Sequence, residues 1–137
     1  MNDILKLARI QIGIIVVFAF FKFIRPSVLE SNAPSIFKTI LLSLPNFFEA
    51  LVGICTLTAI GLYINSKMLP LERQLKHHLI YIIAVIITAI YVLTQEFKIH
   101  NLGGNNVFDI NDVLFSGIGL LVGYIIILWI QPKANRS

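Results

Sequence analysis

Four apolar runs, roughly residues 7–24, 45–64, 78–94 and 113–130, decide what this chain can fold into. Each approaches the ~20 residues that a helix rising 1.5 Å per residue needs to cross a ~30 Å hydrocarbon core. The third is short and borrows from its flanks. Lipid offers no water to satisfy backbone N–H and C=O groups, so runs of this kind must be helical. Composition points the same way: 57% of the residues are hydrophobic and 13% are charged. A soluble domain carries about 25% charged residues, and a chain with half that share could not cover its own core. The expected architecture is an all-α integral membrane protein. Residues 1–137 should form one four-helix transmembrane bundle, a single domain without repeats or linkers.

Prolines and charges divide the chain consistently with these spans. Pro45 suits the first turn of the second helix, behind Ser43 or Leu44 as cap, and Pro132 should end the fourth. Pro26, Pro34 and Pro70 are expected in loops. Lys6 and Arg9 precede the first run as in a signal peptide, but "FKFIRPS" follows it where a small-residue cleavage site would stand. The run therefore reads as a retained helix. Four crossings put both termini on one side, with Lys6, Arg9, Lys67, Arg73, Lys76, Lys133 and Arg136. Lys22, Arg25, Lys38 and Lys98 fall on the other side. By the positive-inside rule this seven-to-four split places both termini in the cytoplasm. The acids divide the opposite way, Asp3 and Glu72 against Glu30, Glu49, Glu96, Asp109 and Asp112.

The net charge of +4 does not indicate a nucleic-acid partner. The basic residues flank apolar runs, where they set topology and meet lipid headgroups, and form no block interleaved with aromatics. The single Cys55 excludes a disulfide and a cysteine metal site, and within an apolar run it reads as a small buried hydrophobe. His77 and His78 are adjacent and point to different sides of a helix, and His100 has no partner at ligand spacing. Gly103-Gly104 is a turn signal, too little for a phosphate loop. No nucleophile–base pair, HExxH, CxxC or P-loop occurs, so no catalytic residue, metal or cofactor is assigned.

Helical spacing sorts the remaining polar residues into stripes. On the fourth helix Asp109, Asp112, Ser116, Gly119 and Gly123 share a face, and Gly119 to Gly123 is a GxxxG step suited to close helix packing. Asn46, Glu49, Gly53 and Thr56 align on the second helix, and His77, Tyr81, Ala84, Thr88, Tyr91 and Gln95 on the third, with Glu96 one step round. Gln11, Phe18, Lys22 and Arg25 lie close to one face of the first. These stripes would bring Asp112, Asp109, Gln95, Glu96, Glu49, Arg25 and Lys22 into one polar pocket at the outer helix ends. A plainer account covers several of them. Asp109 and Asp112 suit the N-cap and N3 positions of a helix, and Glu49 suits a first turn. Lys22 suits an interfacial snorkel.

The stretch of residues 91–124 resembles the VanZ-like family of small bacterial membrane proteins. Gln95 and Phe97, then Asp109, Asp112, Gly119 and Gly123, follow the spacing of that family's motif. Asn105-Asn106 stand where the family has a loop Arg, Ser116 where it has an Asn, and Val92 where it has a Glu. The resemblance implies a multi-pass protein of the bacterial cytoplasmic membrane, linked with resistance to teicoplanin-type glycopeptides.

The expected function is a non-enzymatic VanZ-like protein of the cell envelope, acting at the outer leaflet on a lipid or lipid-linked cell-wall headgroup. Lys22, Arg25 or Lys38 would meet phosphate, and Asp109, Asp112 and Gln95 would hold polar groups or a cation. A carrier for a cation or organic anion is the alternative, although no ionisable residue is expected near mid-span. A third reading is an accessory subunit or homo-oligomer that binds its partner through the glycine face of the fourth helix.

Overall fold

The structure is a computed structural model, and it describes residues 2–97 and 109–133. Its elements are α1 (Asn2–Glu30), α2 (Ser35–Lys67), a 3-10 turn (Leu71–Arg73), α3 (His77–Glu96) and α4 (Ile110–Ile130). All four α-helices are long and apolar enough to cross a membrane.

Two of them outrun their apolar cores. α1 has 29 residues and contains Pro26, and α2 has 33 and contains Pro45, so neither proline sits where the sequence places it. α2 begins at Ser35 with Pro34 as the preceding cap residue, and Ser43 is a buried interior position. An interior proline removes one i→i−4 bond and typically costs about 3 kcal/mol. Packing on both sides of Pro45 offsets that loss, since Leu41, Ser43, Phe48 and Ala50 are all buried. The end of α1 is held by Lys38, whose Nζ donates to the carbonyls of Leu29 (3.0 Å) and Ser31 (2.7 Å). Hydropathy fades at Lys22, Arg25 and Lys38, but side chains of this kind do not stop a helix.

α2 is the hub, packed against α1, α3 and α4. Gln11 Nε2 donates to Thr56 Oγ1 (2.8 Å) and Phe18 stacks on Phe48, so α1 runs antiparallel to α2. α3 is antiparallel as well, with Thr88 over Gly53 and Ile80 over Gly61. α4 runs parallel to α2: Gly119 rests on Phe47 and Ala50, and Gly123 on Leu51 and Ile54. Leu7, Ile54, Cys55, Leu62, Ile80, Tyr81 and Ile127 form the core.

Polar ties close one end. Tyr81 Oη donates to the Pro132 carbonyl (2.7 Å), the Lys133 N–H donates to Asp3 Oδ2 (3.2 Å), and Lys6 pairs with Asp3 (3.3 Å). The start of α1 and the end of α4 therefore meet at the same end as the α2–α3 connection. Pro132 follows α4 as expected, after Gln131 in the left-handed conformation (φ 45°).

Candidate functional site

Glu96, Asp109 and Asp112 lie where the end of α3 and the start of α4 meet, and Glu49 of α2 lies further along the bundle. Glu49 of α2 pairs with the Tyr91 hydroxyl of α3, which also accepts a hydrogen bond from Gln95 Nε2 at 2.7 Å. Glu96, at the end of α3, lies within electrostatic reach of Asp112, Glu49 and Asp109. The Lys6–Asp3 ion pair lies at the other end of the bundle, and among the described residues no cation pairs with these acids. Carboxylates within electrostatic reach of one another favour a cation, an amine or hydroxyl donors. No three His, Cys, Asp or Glu side chains among the described residues converge as metal ligands.

Glu49 is deeper than its sequence position suggests. It was expected in the first turn of the second helix, but α2 starts at Ser35 and Glu49 falls about 21 Å along it at 1.5 Å per residue. Gly119, near the middle of the 21-residue α4, rests on Phe47 and Ala50. Glu49 is thus level with the α4 midpoint. A helix dipole at an N-terminus does not explain it.

Asp109 and Asp112 divide the roles foreseen for them at the start of α4. Asp109 is the N-cap, its Oδ1 accepting from the Asn111 backbone N–H (2.9 Å) and side-chain amide (3.0 Å). Asp112 is half-buried in the first turn, within electrostatic reach of Glu96. Below it Ser116, Gly119 and Gly123 are buried. A Cβ on Gly119 would strike the Phe47 carbonyl oxygen, and one on Gly123 would meet Ile54 Cδ1 at 3.1 Å. This glycine face is filled by α2 of the same chain.

Lys22 and Arg25 do not join the acids. α1 makes its one extensive contact with α2, which carries both cations to a separate cleft of about 200 Å³ lined also by Phe18, Phe21, Leu41 and Pro45. Neither has a hydrogen-bond or ion-pair partner among the described residues. Pro26 and Pro45 have no N–H to give the carbonyls of Lys22 and Leu41, and both of those residues line the cleft. The parallel register of α4 sets Asp112 level with Leu41, so the cleft and the acids lie at the same end of the bundle. Lys38, the third cation considered for a headgroup, is engaged at the end of α1.

Sequence reasoning placed Tyr91 on the right helix face without recognising it as the link between Gln95 and Glu49. The i, i+4 spacing of Tyr91 and Gln95 was the available signal. His78 packs its ring against Tyr81 at 5.6 Å. His100, Gly103-Gly104 and Asn105-Asn106 lie outside the described residues. Compared with known protein families, curated proteins and solved structures, the chain has no match.

Proposed function

We propose that the protein lies in the bacterial cytoplasmic membrane with both termini in the cytoplasm and binds a phosphate-bearing headgroup at the outer leaflet. The observation that carries this reading is the cleft in which Lys22 and Arg25, without partners among the described residues, stand beside Phe18 and Phe21. A phosphate satisfies those cations, and the aromatic walls suit the adjoining acyl region. Asp112, Glu96 and Gln95, at the same end of the bundle, receive the amine or hydroxyl groups of the same ligand. The likeness of residues 91–124 to the VanZ-like family supports a role in the cell envelope, with glycopeptide susceptibility as its phenotype.

Sidedness is tested by labelling with a membrane-impermeant thiol reagent in a Cys55→Ser background. Asn32→Cys is expected to label from outside in intact cells and Glu72→Cys only after permeabilisation; the reverse pattern inverts the assignment.

Headgroup binding is tested on the purified full chain by lipid-resolved mass measurement with phosphate-bearing lipids. The Lys22→Gln/Arg25→Gln protein is expected to retain on the order of tenfold less lipid, from two charge-assisted contacts. Asp112→Asn should also lose retention while melting as wild type. Asp109→Asn should keep it, because Asn caps a helix about as well as Asp. Wild-type retention by the Lys22/Arg25 double variant overturns the reading.

A second reading, a cation carrier, gains one specific observation. Glu49, level with the middle of α4 and opposite Tyr91 of α3, lies further from the helix ends than Glu96, Asp109 and Asp112 do. The surface invoked for an accessory-subunit role, the Gly119/Gly123 face, is already filled by α2.

A further inference from the structure

Away from the candidate site, towards the end where Lys133 meets Asp3, α2 and α3 leave an apolar groove of about 270 Å³. Leu57 and Gly61 of α2 line one wall, Ile80 and Ile87 of α3 the other, and Leu75 stands at the mouth. Asn65 is the polar residue in it, and its side chain is spent on the loop: Nδ2 donates to the Leu75 carbonyl (3.1 Å) and Oδ1 accepts from the Leu75 N–H (2.8 Å). From Leu57 to Asn65 the groove runs about 12 Å at 1.5 Å per residue. That approaches half of a ~30 Å hydrocarbon core, the depth of one leaflet.

The mouth is cationic. Asn65 fixes the connection that carries Arg73 and Lys76, both exposed and without side-chain partners among the described residues. Glu72 is the one acid in the same connection. Met68 and Leu71 stand 72% and 70% exposed in the same connection. Cations and bare apolar side chains on one short loop suit a membrane interface, where the apolar groups enter lipid and the cations face headgroups.

We propose that this groove and loop bind an anionic phospholipid, one acyl chain lying along α2 from Asn65 to Leu57 and the phosphate held by Arg73 and Lys76. A second copy of the chain, inserted with the same orientation, would bring cation against cation at this mouth. A zwitterionic lipid would present its own cationic group to them. The anionic lipid alone matches both the apolar depth and the charge of the opening.

The test uses the purified full chain in mild detergent with phosphatidylglycerol or phosphatidylcholine of identical acyl chains. A Lys or Arg near an anionic surface contributes about fivefold in binding, so the pair predicts retention of phosphatidylglycerol on the order of twentyfold over phosphatidylcholine. Arg73→Gln/Lys76→Gln is expected to bring that ratio close to parity, and Ile87→Trp, which fills the groove, to reduce retention of both lipids. The ratio is also read in the Lys22→Gln/Arg25→Gln background, where the outer cleft no longer contributes and the preference and its loss in Arg73→Gln/Lys76→Gln should both persist. Equal retention of the two lipids by the wild type overturns the proposal, as does a full preference in the Arg73/Lys76 variant. A dimer that excludes lipid from the groove also overturns it, in favour of a second copy.

Discussion

Gly119→Ala is expected to destabilise the bundle while Gly117→Ala, on the same helix two residues away, stabilises it. A Cβ at Gly119 would collide with the Phe47 carbonyl oxygen and stand 3.0 Å from Ala50 Cβ. Neither is the far end of a flexible side chain, so α4 must move off α2. Overpacking of this kind costs about 1–3 kcal/mol, and Gly119→Leu should exceed that and prevent a folded product. A Cβ at Gly117 meets nothing within 4 Å. There the substitution only removes the glycine penalty in a helix, a gain of up to about 1 kcal/mol. Melting in mild detergent reads both. A Gly119→Ala protein that melts at or above the wild type would show that α2 and α4 do not approach as described.

Glu49→Gln is expected to raise or preserve the melting temperature and to abolish any cation flux in proteoliposomes. A charged side chain at the centre of a membrane helix costs about 2.5–3.5 kcal/mol on insertion scales. Gln keeps the shape, and its carbonyl still accepts from the Tyr91 hydroxyl, so the loss of charge is not offset by a lost hydrogen bond. Phosphate-headgroup retention should survive, because Lys22 and Arg25 hold that contact in the separate cleft. Flux that persists in Glu49→Gln, or a wild type without flux, removes the carrier reading and leaves Glu49 as the acceptor for Tyr91. A collapse of the fold would instead make the Glu49–Tyr91–Gln95 link structural.

Much of the molecule was legible because a long apolar run leaves its backbone few choices. An apolar run near 20 residues has one way to satisfy its backbone, so the four helices follow from hydropathy alone. The spacing of Ser116, Gly119 and Gly123 marked a face, and Asp109 marked a cap, because both depend on neighbours three or four residues away.

The sequence by itself determined four apolar helices, the stop at Pro132 and the capping role of Asp109, since each is settled by local chemistry. Only the tertiary structure decided where helices begin beyond their apolar cores, which neighbour each face meets and how deep a charge lies. Pro45 reads as a helix start until burial of Leu41 and Ser43 ahead of it holds the helix together through the missing bond. That shift carries Glu49 from a first turn to the level of the α4 midpoint. Lys22 and Arg25 share a stripe that suits the acids, yet α1 docks on a different side of α2 and takes them to a separate cleft. Helical spacing says which residues share a face. Which helix covers that face is set by long-range packing, where the glycines of α4 bring α2 closest.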